Sequence, residues 1–136
     1  MLIATMVYEI MEQHDFVATH EIAGLPASHA CHGVHMHKWS VEVVLLVSKL
    51  APTDAPSDAV MLQPLRNYVV SELEGSHLND LVKGDPTPAR LTEHLVDWCR
   101  RHLDPVAVDV LHSVTVSAVR GGRARCRLVE VRPGRR

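Results

Sequence analysis

Aromatic side chains are scarce in this chain: one Phe, two Trp and two Tyr make up 4% of its 136 residues. Val, Leu and Ala must therefore fill the interior, and at 46% hydrophobic residues there are enough for one real core. The expectation is a single domain over residues 1–136, small enough to gain from self-association. Long apolar runs are missing too. The opening stretch Met1–Val7 has no basic leader and is too short to span a bilayer, so no membrane partner is expected. Net charge is nearly absent, at −2, which removes any global attraction to nucleic acid. Three cysteines, Cys31, Cys99 and Cys126, are an odd number without framework spacing. Reduced thiols and a cytoplasmic location are the expectation.

Histidine, by contrast, is plentiful. Six of the ten (His14, His20, His29, His32, His35 and His37) fall within residues 14–47, beside Cys31. Imidazole fills cores poorly and is the commonest ligand for zinc and related divalent metals, so a metal site is the first hypothesis. After His35-Met36-His37, the residues Trp39, Val41 and Val43 continue the parity of the histidines, while Lys38, Ser40 and Glu42 take the other. Strand side chains alternate between faces, so His35 and His37 point together toward the apolar side. Phe16, Ala18 and His20 share one parity upstream, and a neighbouring strand would bring a third imidazole into the same interior. Three histidines leave one tetrahedral position open, the mark of a catalytic zinc. The bland alternative is a solvated His-x-His pair on a strand edge. Cys31, four residues before His35, is either a fourth ligand that closes the site or a thiolate beside it, usable as base or nucleophile. An inert buried cysteine is the third reading.

Taken in order, residues 3–20 read as a strand, a loop marked by Gly24 and Pro26 follows, and a second strand runs from His35 to Lys49. The turn-rich connector 51–58 leads to Leu62, Leu65, Val69 and Leu73 at helical spacing, with Pro64 near the start and Gly75 at the end. Thr87 caps a second helix whose apolar stripe is Leu91, Leu95, Trp98 and Leu103, and Asp104-Pro105 stops it. His94 and His102 read as polar-edge residues of that helix. Val108, Val110, Val114 and Val116 alternate as a third strand, Gly121-Gly122 turns, and Arg123–Val131 returns as a fourth. Arg123, Arg125 and Arg127 share one parity, either a charged soluble edge or an anion-binding face.

The stretch from Phe16 to Trp39 resembles the signature of the 6-pyruvoyl-tetrahydropterin synthase and 6-carboxytetrahydropterin synthase family, F-x-A-x-H followed by C-x-x-x-H-x-H. The likeness runs on through Asp58, Leu78-Asn79-Asp80 and Pro86-Thr87, covering about residues 14–128. It implies Zn2+ held by His20, His35 and His37, with Cys31 as catalytic base. It also implies an α+β tunnelling-fold unit, a β-β-α-α-β-β antiparallel sheet with two helices on one face. Such units assemble into an oligomeric barrel, a homo-oligomer that is hexameric by resemblance, with sites at subunit interfaces.

Three departures stand out. Glu74 and Gly75 occupy the place of the family's Asp-His pair, and Ala118 that of the glutamate that grips the pterin ring. Ala89 replaces a glutamate of the second helix. Glu74 and His77 are the candidate replacements for the missing catalytic pair, His77 also reading as a solvated or packing histidine, and Thr87 and Ala118 mark the substrate-binding positions. The expectation is a zinc-dependent lyase or isomerase acting by metal-assisted enolisation on a small molecule that is not the usual pterin. The alternatives are an ordinary synthase of the family with relocated helpers, and a retired enzyme that keeps zinc as a binding module.

Overall fold

A computed structural model describes residues 1–49 and 60–131; the connector, Asp58 and the last five residues lie outside the described part. Four strands form one antiparallel sheet in the order β1-β2-β3-β4: β1 Tyr8–His20, β2 His35–Val47, β3 Leu111–Ala118 and β4 Gly122–Arg127. The period-two pattern sets its faces. Phe16, Ala18, Trp39, Val41, Val43, Val114 and Val116 are buried on one side, whereas Met11, Met36 and Lys38 on the other are exposed. The register places His20 opposite His35, Phe16 opposite Trp39, and Trp39 opposite Ala118.

The helices cover the buried face. Helix α1 (Gln63–Tyr68) has Pro64 in its first turn, where a missing N–H costs nothing, and continues as a π turn over Val69–Leu73. Helix α2 (Pro88–His102) is capped by Thr87, whose hydroxyl accepts from Arg90 N at 3.2 Å. Leu62, Leu65, Leu73, Leu78, Leu91, Leu95 and Cys99 join the sheet's inner residues in one core. No helix among the described residues is long and apolar enough to cross a membrane.

Four element boundaries differ from expectation, the smallest being β2, which ends at Val47 and not at Lys49. The first strand starts at Tyr8, not at residue 3, its first pairing being with Val47, the last residue of β2. Val108 and Val110 belong to a short helix α3 (Pro105–Val110), not to β3. The Asp104 carboxylate accepts from Val106 N at 2.9 Å and Pro105 takes the first turn, so local capping overrides the alternation of valines. Strand β4 ends at Arg127, paired with Ser113 near the start of β3. Arg123, Arg125 and Arg127 do share a face, the one away from the helices, where Arg125 Nε donates to Thr115 Oγ1 at 2.7 Å.

One connection bears directly on the site. After the π turn, Gly75 adopts φ +73° and the chain straps itself to the outer edge of β1. Gly75 N donates to Val17 O at 2.7 Å and Thr19 N to Ser76 O at 3.0 Å. Asn79 completes the strap, accepting from Glu21 N and donating to Glu21 O, both at 2.8 Å. Hydrogen bonding thus fixes the end of β1 that carries His20.

Candidate metal centre

His20 closes β1, and His35 and His37 open β2, so antiparallel pairing brings three imidazoles to one end of the sheet. Their ligand nitrogens lie within 4.8 Å of one another, and His20 Nε2 is 2.8 Å from His35 Nε2. Each ring is held from behind. His20 Nδ1 donates to Pro86 O at 2.7 Å, His35 Nδ1 to Gly33 O at 2.9 Å, and His37 Nδ1 to Val119 O at 3.0 Å.

Those three carbonyls settle the tautomers. A carbonyl only accepts, so each Nδ1 carries the proton and each Nε2 is left with a bare lone pair turned inward. His37 Nε2 is buried without a hydrogen-bond partner among the described residues. Two inward lone pairs 2.8 Å apart repel, and a cation bound by both would reverse that sign. Histidines that bind a metal usually donate their other ring N–H to such a carbonyl, as these three do.

Trp39 is the floor. It is fully buried, stands edge-on to His20 at 5.0 Å and to His37 at 5.7 Å, and donates from Nε1 to Ala18 O at 3.3 Å. His20 is itself buried, and that burial is the main reason its pKa is pushed below the usual value; the Pro86 carbonyl opposes the shift, and His35, His37 and His77 add to it. A neutral imidazole is the ligand form, so burial prepares His20 for a metal.

Cys31 lies half-buried in the loop between the strands, its N–H donating to His29 Nδ1 at 3.0 Å. No sulfur or carboxylate joins the three nitrogens among the described residues. Among the described residues the cluster is therefore three nitrogens with no fourth protein ligand.

The other sequence-derived candidates fall in two places. Glu74 is exposed and its Oε2 accepts from Val17 N at 3.0 Å, acting as one rung of the strap. His77 is half-buried, with Nδ1 2.9 Å from Thr19 Oγ1 and Nε2 without a hydrogen-bond partner among the described residues. Thr87 caps α2 one residue after Pro86, the carbonyl that holds His20. Ala118 ends β3, buried opposite Trp39 beneath the β3–β4 turn. Side-chain patterns do not reveal the orienting carbonyls of Gly33, Pro86 and Val119. The nearest signal is that each sits in a loop or turn beside a strand end or helix cap.

The family model described as 6-pyruvoyl tetrahydropterin synthase matches residues 9–128. The chain belongs to that family. Its fold is similar to the structure of Caenorhabditis elegans 6-pyruvoyl tetrahydropterin synthase, with TM-score 0.74 and 13% identity over 94% of this chain and 100% of that one. It is equally similar to an uncharacterized protein from Wolinella succinogenes, with TM-score 0.75 and 16% identity over 90% of this chain and 99% of that one. At those identities the likeness speaks for the fold alone. A search of curated proteins finds no match.

Proposed function

We propose that this protein is a zinc-dependent lyase or isomerase of the 6-pyruvoyl tetrahydropterin synthase family, acting on a small molecule other than the usual pterin. One observation carries the reading: three imidazoles, each fixed at Nδ1 by a backbone carbonyl, turn their Nε2 atoms to a common point. Three neutral nitrogens with room for one more ligand suit Zn2+ in its catalytic form. When bound, the metal would supply Lewis-acid polarisation of a substrate carbonyl or hydroxyl.

The chain's own residues supply the rest. His20, His35 and His37 hold the reacting oxygen's end of the site, and Trp39 shuts water out from beneath. Cys31 is the base that takes the proton from the carbon next to that oxygen. Of the two replacements for the missing Asp-His pair, His77 is the better candidate. Its Nε2 has no hydrogen-bond partner among the described residues, whereas Glu74 Oε2 is occupied by the Val17 amide. Thr87 and Ala118 border the substrate's place. The single domain over 1–136 would work as a homo-oligomer in the cytoplasm, where its three free thiols stay reduced.

The test pairs metal analysis with activity. Protein purified without chelator should hold about one zinc per chain, and Cys31→Ala should keep that metal while losing turnover on the true substrate. Metal-free protein that also fails to take up added Zn2+ would refute the reading.

A further inference from the structure

We infer that the turn between β3 and β4, Val119-Arg120-Gly121, is the positioning element for His37, and that Gly121 must remain side-chain-free for it to work. This rests on the zinc reading and adds to it a residue outside the family signature. The turn reaches the ring in two ways. Its Val119 carbonyl accepts from His37 Nδ1 at 3.0 Å, and that bond fixes both the tautomer and the ring plane. Its Gly121 lies against the opposite, metal-facing edge: a Cβ added there would stand 3.4 Å from His37 Cε1 and 3.5 Å from Nε2.

The turn is pinned where these contacts require it. Val119 N donates to Lys38 O at 3.0 Å, tying the turn to the residue after His37, and Gly121 N donates to Ala118 O at 2.9 Å. That closure leaves almost no space, since a Cβ on Gly121 would lie 2.8 Å from Ala118 Cβ, nearer than real Cβ atoms approach. Backbone strain is not the reason for this glycine. The positive φ values of the turn belong to Arg120 at +62° and Gly122 at +97°, and a Cβ on Gly122 would meet nothing within 4 Å. Two adjacent glycines therefore do different things: Gly122 permits the hairpin, and Gly121 lets it close on Ala118 and His37.

The contacts predict separable outcomes. In Gly121→Ala, the methyl pushes against Ala118, the turn opens, and the Val119 carbonyl withdraws from His37 Nδ1. The loss of such an orienting partner typically costs about 10–100-fold in metal affinity. Adding Ala118→Gly removes the 2.8 Å conflict and leaves only ordinary contacts with His37, so the turn can close again.

The experiment measures Zn2+ affinity by chelator competition, with the visible spectrum of the Co2+ form as a report on ligand geometry. The proteins are wild type, Gly121→Ala, Gly121→Ala/Ala118→Gly and Gly122→Ala. Gly121→Ala should bind at least tenfold more weakly with an altered Co2+ spectrum, and the double variant should recover most of both. Gly122→Ala should melt at a lower temperature yet bind within about threefold of wild type. Wild-type affinity in Gly121→Ala, no recovery in the double variant, or equal weakening by Gly122→Ala would each overturn the inference and leave the zinc reading standing. A wild type that binds no Zn2+ would sink both.

Discussion

His20 Nε2 and His35 Nε2 face each other at 2.8 Å while the Nδ1 atom of each ring is bonded to a backbone carbonyl. Neither ring can change tautomer to relieve the contact without giving up a buried hydrogen bond, which typically costs about 1–3 kcal/mol. A cation bound to both nitrogens would relieve the contact, as the proposed zinc site requires. His35→Ala should weaken Zn2+ binding by roughly a hundredfold or more, because it removes a ligand and not merely a ligand's support. The same variant should lose most of the zinc-dependent rise in melting temperature. At zinc a thousand times its dissociation constant, linkage adds about 4 kcal/mol to the wild type. A calorimetric scan with zinc and then with chelator reads that difference, and a His35→Ala protein stabilised like wild type would disprove the ligand assignment.

Cys31 and Cys99 should differ sharply in reactivity. Cys99 is buried in the helix stripe, and desolvation pushes its thiol up to about 12, so its thiolate is nearly absent at neutral pH. Cys31 is half-buried in the loop between β1 and β2 and outside the cluster of three imidazoles. Iodoacetamide should label Cys31 well before Cys99, as mapped by peptide mass spectrometry. Faster labelling of Cys99 in the native protein would mean the loop shields Cys31 and would count against its role as base.

The parity of Phe16, Ala18 and His20, and of His35, His37, Trp39 and Val41, was enough to place three imidazoles on the buried face of two adjacent strands. Period two is rigid geometry, so those positions were legible. Helix α3 was misread, although Asp104-Pro105 is itself a cap-and-first-turn signal, because Val108 and Val110 alternate in phase with the true strand. The strap of Glu74 to Asn79 on β1 could not be read at all. It joins positions 57 or 58 residues apart mainly through backbone groups and a carboxylate that any acidic residue could supply. The orienting carbonyls of Gly33, Pro86 and Val119 were hidden for the same reason: every residue has a carbonyl, and only the fold selects which one a histidine meets.

A proton-linked prediction follows from Tyr68 and His94, whose hydroxyl and Nε2 are 2.8 Å apart on the helix layer. Burial lowers the His94 pKa from its usual value, Arg101 adds to the lowering, and Asp97 opposes it. The folded pKa is depressed, so the unfolded chain binds the proton more readily than the native one. Stability linked to this group is present above the unfolded value near 6.5 and is lost as pH falls through the folded value. Urea unfolding at pH 7.5, 6.5 and 5.5 should show wild type losing stability faster than His94→Gln as the medium acidifies. Parallel losses in the two proteins would show that His94 is not a contributor.

The pterin departures give the last prediction, and structure sharpens it. Ala118 offers no acceptor for a pterin edge, and it is buried beneath a turn whose Gly121 leaves its methyl little clearance. Gly75 stands at φ +73° in the strap, so a histidine introduced there would carry left-handed strain while its N–H still had to reach Val17 O. A missing charged hydrogen-bonding partner costs about 1.5–3 kcal/mol, roughly ten to a hundredfold in affinity, and the absent proton partner lowers the chemical step further. The wild type should therefore convert 7,8-dihydroneopterin triphosphate poorly. Restoring the family residues should not cure it: Ala118→Glu would force the β3–β4 turn off His37 and lower zinc content, and adding Gly75→His would strain the strap that carries His20's strand. Product chromatography and elemental analysis on wild type, Ala118→Glu and the double variant test this together. Efficient pterin turnover by wild type, or its gain in the double variant with zinc retained, would overturn the substrate argument and make this an ordinary synthase of its family.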